Sequence, residues 1–174
     1  MAARILLAMT QRMLTSAHAR ISSLPWYWFI VAGFVISVGA VMPLLPLMLL
    51  PQFAAEPVGT ILLESKSMGR TLLVAVILVP PLETLAFQWV PIKCLRRVGC
   101  LRGRNQVLVI CSALLFGLVH CYSLLAVVRA FAVGLVFAYA FVVIEDRQQS
   151  AYWVVSAIHA LRNLFGSVLL HFVR

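Results

Sequence analysis

Residues 71–92 read TLLVAVILVPPLETLAFQWVPI, an apolar stretch whose one charged side chain is Glu83. About 20 apolar residues is the length that crosses the ~30 Å hydrocarbon core of a bilayer as a helix. Two prolines, Pro80 and Pro81, stand just before the glutamate, and we expect them to reset the start of the helix that carries it. The stretch therefore predicts a membrane-spanning helix with a carboxylate at membrane depth.

The composition of the whole chain agrees with a membrane setting. The 174 residues are 63% hydrophobic and 11% charged, with a mean hydropathy of +1.03, whereas soluble domains carry about 25% charged residues. Length and composition leave no room for a sizeable soluble module, so we expect residues 1–174 to form a single integral membrane domain.

Apolar runs elsewhere in the chain predict four more spans. Residues 24–50 form the first, and residues 150–171 form the last. Residues 107–144 would make one helix about 57 Å long at ~1.5 Å per residue, which is too long for a single crossing. We expect this segment to be two helices that turn near residues 121–123. The predicted fold is all-α, a polytopic transmembrane helix bundle of about five spans.

Basic residues indicate the orientation of the bundle. Five of them, with no acid, crowd the segment after the second span: Lys93, Arg96, Arg97, Arg102 and Arg104. Short loops rich in lysine and arginine stay in the cytoplasm, so we expect this loop and, by parity, the N-terminus to be cytoplasmic. The net charge of +9 then reflects topology and contact with anionic membrane lipids, and we expect no nucleic-acid partner.

The N-terminal segment, residues 1–20, contains three arginines and no acid, with its apolar side chains roughly on one helical face. This pattern predicts an amphipathic helix on the cytoplasmic surface of the membrane. A mitochondrial-type targeting segment has a similar composition and is the alternative.

Ionisable groups inside spans are costly in lipid, and they are therefore candidates for a functional site. Five occur here, together with two amides and a serine: Glu83, His120, Arg129, His159, Arg162, Gln88, Asn163 and Ser112. Residues four apart share one face of a helix, which pairs His159 with Asn163 and Phe116 with His120. Three separate helices thus each offer an acid or an imidazole at membrane depth.

The order of these residues resembles the CAAX protease and bacteriocin-processing family of intramembrane endopeptidases. The second and third motifs of that family are Phe-x-x-x-His and His-x-x-x-Asn or Asp. They stand here as Phe116 to His120 and as His159 to Asn163. The resemblance covers about residues 71–171, which we expect to form the catalytic core.

The first motif of that family, Glu-Glu-x-x-x-Arg, is altered in this chain. Glu83 matches the leading glutamate, while Thr84 replaces the second glutamate and Gln88 replaces the arginine. The leading glutamate is the one to which the resemblance assigns catalysis. Loss of the other two together removes a charged pair as a unit and leaves no unpaired buried charge.

The resemblance implies hydrolysis of a peptide bond by glutamate-activated water in a peptide or membrane-anchored protein substrate. The catalytic residues would be Glu83, His120, His159 and Asn163, supported by Thr84, Gln88 and Phe116. Glu83 would act as general base while His120 positions the water. The other two catalytic side chains would donate hydrogen bonds to the oxyanion. We expect such a protein in a bacterial inner (plasma) membrane.

Three alternatives remain at the level of sequence. Glu83, His120 and His159 could ligate catalytic zinc, although no His-Glu-x-x-His motif is present and we expect no cofactor. Glu83 could instead pair structurally with Arg129 or Arg162. Finally, the altered first motif favours a non-catalytic family member that serves as an immunity protein or a membrane scaffold.

Overall fold

A computed structural model describes residues 15–16, 19–48, 68–101 and 103–173, and every regular element in these ranges is helical. The main helices are α1 (Trp26–Gly39), α2 (Gly69–Arg97), α3 (Asn105–Val119), α4 (Leu124–Asp146) and α5 (Ala151–Val173). The all-α prediction is thus confirmed. The predicted amphipathic helix over residues 1–20 falls mostly outside the described residues.

Within the described ranges, three helical stretches are long and apolar enough to cross a membrane: Trp26–Leu47, Gly69–Arg97 and Leu124–Asp146. Helix α3 is apolar but shorter, with 15 residues. Helix α3 ends at Val119 and α4 begins at Leu124, so the chain turns near residues 121–123, as predicted. The protein is therefore an integral membrane helix bundle.

Helix α4 lies at the centre of the bundle and packs against α1, α3 and α5. Phe137, Phe141 and Ile144 are its most completely buried large side chains. Small residues allow α3 and α4 to approach closely, because a Cβ at Gly134 would lie 3.1 Å from the Cα of Ala113. Close backbone approach through small residues is a common basis of helix packing in membranes, and here it fixes the position of α3.

Helix α2 changes its helical type along its length. Leu73–Leu78 and Leu85–Trp89 are π-helical, and Val79–Thr84 between them is α-helical. Each π-helical segment ends two residues before a proline. The first ends before Pro80, and the second ends before Pro91. A proline has no N–H, and its ring crowds the carbonyl of the residue four before it. The wider π turn accommodates this crowding.

The prolines do not interrupt the path of α2. The α-helical segment begins at Val79, as the prolines led us to expect, but Leu78 before it keeps helical dihedral angles (φ −89°, ψ −47°). The helix therefore continues through Pro80 and Pro81, and Glu83 lies within one long helix of 29 residues.

One end of the bundle is held together by ion pairs. Glu145 at the end of α4 pairs with Lys93 and with Arg96 of α2, the latter at 2.8 Å. Asp146 accepts hydrogen bonds from Arg96 at 2.8 Å and from Asn105 at the start of α3 at 3.1 Å. The basic C-terminal end of α2 and the acidic end of α4 therefore lie on the same side of the membrane.

Candidate active site

Glu83 and His159 meet between α2 and α5, which run antiparallel. The Nε2 atom of His159 lies 3.5 Å from the Oε2 atom of Glu83. The imidazole is buried, with 4% of its residue surface exposed, while Glu83 is half-buried. A separation of 3.5 Å is longer than an ordinary hydrogen bond, and catalytic contacts are often this long before substrate binds. Two of the three helices expected to supply the site thus come together.

His120 stands at the C-terminal end of α3, where the helix ends in a turn. Its Nδ1 atom lies 2.7 Å from the carbonyl oxygen of Phe116. Because a carbonyl can only accept a hydrogen bond, we assign the ring proton to Nδ1. The neutral imidazole then presents its Nε2 atom as an acceptor, the form in which histidine can orient a water molecule.

Aromatic rings contact both imidazoles. The Phe116 ring centroid lies 4.7 Å from that of His120 and 5.9 Å from that of His159. Phe137 of α4 packs on His159 at 4.7 Å, and Phe87 of α2 meets Phe116 edge-on at 5.9 Å. Phe116 is therefore the side chain through which the second and third motifs meet, and the rings contribute to the burial of His159.

Asn163 lies one turn beyond His159 and bonds to the backbone of α2. Its Nδ2 atom donates to the carbonyl oxygen of Ala75 at 2.9 Å. The N–H of Val79 bonds instead to Val74, and the next residue, Pro80, has no N–H to offer. The Ala75 carbonyl therefore lacks a main-chain donor at either α or π spacing, and the amide of Asn163 satisfies it.

Ser112 of α3 makes an equivalent bond further along α2. Its hydroxyl donates to the carbonyl oxygen of Phe87, and the residue four positions after Phe87 is Pro91. The sequence placed Ser112 among the polar groups at membrane depth without a role. The sequence signal nearest to this bond is Pro91, which has no N–H to donate to the carbonyl four residues before it.

Thr84 and Gln88 are both fully buried, at 0% exposure. Among the described residues, the Thr84 hydroxyl and both amide atoms of Gln88 have no hydrogen-bond partner, and neither do the Ser156 hydroxyl and the His159 Nδ1 atom. A charged pair at these positions would be fully desolvated, which is costly unless the pair is complete. Two neutral side chains avoid that cost.

Arg129 and Arg162 are half-buried. The charge of Arg162 is within electrostatic range of both His159 and Arg129. Positive charge from α5 therefore lies near His159, and positive charge from α4 lies near Arg162.

The zinc alternative required Glu83, His120 and His159 to converge as ligands. In the part of the chain that the structure describes, no three histidine, cysteine, aspartate or glutamate side chains are grouped as metal ligands would be. The expectation that the site needs no cofactor stays a prediction.

The fold and the site together define a helical integral membrane protein in which a glutamate and a histidine of two helices approach each other, with a second histidine beside them across Phe116. Residues 66–165, more than half of the chain, match the family described as Type II CAAX prenyl endopeptidase Rce1-like. The chain belongs to this family, which confirms the resemblance noted from its motifs and supports a CAAX-protease-type function in the membrane. No curated protein and no solved structure matches the chain.

Proposed function

We propose that the protein is an intramembrane endopeptidase in which Glu83 activates water to hydrolyse a peptide bond. The substrate is a peptide or a membrane-associated protein, and the reaction uses no metal. The observation that carries this proposal is the 3.5 Å approach of Glu83 to His159, inside the segment that matches the protease family. We further propose a bacterial inner membrane, with the N-terminus in the cytoplasm.

The mechanism begins with a water molecule between Glu83 and His120. Glu83 takes a proton from the water while the Nε2 atom of His120 accepts its other hydrogen bond, so the oxygen attacks the substrate carbonyl. A carboxyl group in an apolar, shielded site is suited to hold that proton. When the tetrahedral intermediate collapses, Glu83 returns the proton to the nitrogen of the leaving amine.

The charge on the tetrahedral oxygen is stabilised by His159 and Asn163. One N–H of the Asn163 amide is occupied by Ala75, which leaves the second N–H for the oxyanion. His159 donates through its Nε2 atom, whose long approach to Glu83 leaves it able to turn toward the substrate. Each fixed donor in such a site contributes roughly 2.7–4 kcal/mol to transition-state stabilisation.

The decisive variant is Glu83→Gln, which keeps the size of the side chain and removes the base. We expect substrate processing to fall by about 10²- to 10⁴-fold, the usual contribution of a general base, while the amount of protein in the membrane stays unchanged. Processing is followed as release of the cleaved peptide from membranes that contain equal amounts of each variant.

The matched control is Glu145→Gln, which removes a carboxylate from the ion pairs at the end of α4 and leaves the site untouched. We expect this variant to keep its processing activity. Full processing by Glu83→Gln would contradict the glutamate mechanism. Activity that a chelator abolishes and zinc restores would instead assign Glu83 and the histidines to a metal.

The second candidate function is a non-catalytic one, as an immunity protein or membrane scaffold. It is favoured by the neutral, fully buried Thr84 and Gln88, which stand where the first motif of the family carries charge. In that case Glu83→Gln would retain the biological function of the chain at normal abundance, and no peptide would be released by the wild-type protein.

A further inference from the structure

We propose that Pro80 is a positioning residue for Asn163. By supplying no N–H, Pro80 leaves the Ala75 carbonyl as the acceptor that holds the Asn163 amide in place. This inference rests on the proposed function for its catalytic consequence, but the arrangement itself involves only groups of the chain. Pro80 is buried, and it has no part in bond making or breaking.

The inference depends on which carbonyl each proline releases. The Val79 N–H bonds to Val74, five residues back, so the next donor in this π-helical register would come from residue 80 and reach Ala75. An N–H at position 81 would instead bond to the carbonyl of Val76 at π spacing, or to that of Ile77 at α spacing. Only the missing N–H of Pro80 therefore leaves Ala75 for Asn163.

The orientation of Asn163 matters because its amide rotates easily. The terminal torsion of asparagine is broad rather than restricted to sharp wells, so an amide without a fixed partner would sample many directions. Bonding one N–H to Ala75 at 2.9 Å also fixes the direction of the other. Donors that are oriented before the reaction stabilise an oxyanion without reorganisation.

A second polar side chain bonds to the backbone of α2 near Pro91. There, Ser112 of α3 donates to Phe87, the carbonyl that the ring of Pro91 leaves without its α-helical donor. In both places, a polar side chain of a neighbouring helix donates to a carbonyl of α2 that lies four or five residues before a proline. The prolines thus provide anchoring points for α3 and α5 on α2.

The first experiment compares Pro80→Ala with Pro81→Ala. Pro80→Ala introduces an N–H that competes for the Ala75 oxygen, and we expect kcat to fall about tenfold, less than the ~10²-fold loss expected when an oxyanion donor is removed outright. KM should stay unchanged. Pro81→Ala changes the adjacent ring without offering a donor to Ala75, and its kcat should remain close to wild type. Equal kcat values for the two variants would overturn the proposal.

A second substitution isolates the N–H from the ring. Lactic acid at position 80, introduced by nonsense suppression, has the methyl side chain of alanine but an ester oxygen in place of the N–H. We expect its kcat to match that of wild type. A kcat as low as that of Pro80→Ala would show that the ring matters and not the missing donor. If Pro80→Ala fails to accumulate, normal accumulation and a wild-type kcat of the lactic acid variant assign the defect to the added N–H, and failure of both variants overturns the proposal.

A double-mutant cycle tests the arrangement without any activity. The shift in the unfolding midpoint caused by Asn163→Ala is measured in wild type and in Pro80→Ala, and we expect it to fall by more than half in the second background, because the bond is already weakened. The same cycle with Pro81→Ala should show no such reduction. Equal shifts in all backgrounds would overturn the arrangement. If the Pro80–Asn163 coupling is observed and the Glu83→Gln variant keeps full processing activity, the arrangement is retained and only the proposed function is rejected.

Discussion

Thr84 and Gln88 are the two side chains at which this chain departs from the first motif of its family. Both are completely buried, four residues apart on one face of α2. A single charge introduced there would have no partner, and an uncompensated buried charge typically costs about 3–5 kcal/mol. A charged pair would satisfy itself, so the two positions are expected to change together.

We therefore expect Gln88→Arg alone to lower the unfolding midpoint strongly and to reduce membrane abundance. Thr84→Glu combined with Gln88→Arg should recover most of that loss, because the charges then compensate each other. Thr84→Val, which removes an unpartnered hydroxyl at nearly constant shape, serves as the control and should be close to neutral. Equal destabilisation by the single and the double variant would contradict this account.

Asn163 illustrates what could and could not be predicted at single residues. The spacing of four residues predicted it on the same face of α5 as His159, and the structure brings His159 to 3.5 Å from Glu83. The convergence of His120 with these two residues stays a prediction. Its bond to Ala75 could not be predicted, because that bond depends on the π-helical register of α2. A sequence pattern with a period of 3.6 residues does not report such a local change in helical type.

Among the helices, α3 is positioned by its close contact with α4. An alanine at Gly134 would place its Cβ 3.1 Å from the Cα of Ala113 and 3.2 Å from the Cβ of Phe116. Phe116 touches both imidazoles, so a displacement of this ring would be passed directly to the site. The α3–α4 contact thus links a packing requirement to the geometry of the histidines.

Gly134→Ala is therefore expected to overpack this interface, which typically costs about 1–3 kcal/mol, and to lower kcat at the same time. Gly166→Ala on α5 is the matched control, since a Cβ there would meet nothing within 4 Å. That variant should be stabilised by roughly 0.5–1 kcal/mol, the usual gain from replacing glycine within a helix, with kcat unchanged. Unfolding midpoints and kcat are measured for both, and a fully active Gly134→Ala would argue against the coupling.

The apolar runs of the sequence predicted the helices well, because a span in lipid must satisfy every backbone group internally and is therefore a helix. They also located the turn between α3 and α4. They did not predict that α2 would remain continuous through Pro80 and Pro81, since the same residues are compatible with a broken helix. The continuous helix is favoured over a broken one by the neighbouring helices, because the side chains of Asn163 and Ser112 donate to carbonyls of α2 near the prolines.

In the molecule as a whole, native cysteines mark both ends of the bundle. Cys94 and Cys100 are exposed at the end that carries the basic segment, and Cys121 is exposed in the turn at the opposite end of α3. Three single-cysteine variants, with the other thiols changed to serine, therefore report the orientation of the chain. No new cysteine has to be introduced for this measurement.

With the N-terminus in the cytoplasm, a membrane-impermeant maleimide should label Cys121 in intact cells. It should label Cys94 and Cys100 only after the membrane is permeabilised. The reverse pattern would contradict the orientation expected from the basic residues. A fourth single-cysteine variant keeps Cys111, which is only partly accessible. It should react slowly under both conditions and serves as the control for general leakage.

The ion pairs at the end of α4 also have a consequence for the order of events during synthesis. Asp146 follows its partner Arg96 by 50 residues along the chain, so the ribosome completes the basic segment several seconds earlier, at about 5–20 residues per second. While α2 inserts, Lys93 and Arg96 therefore act with their full positive charge, and the acidic residues neutralise them only afterwards. In the expected orientation, α2 therefore inserts under the full charge of the basic segment, of which the finished protein pairs Lys93 and Arg96 with the acidic end of α4.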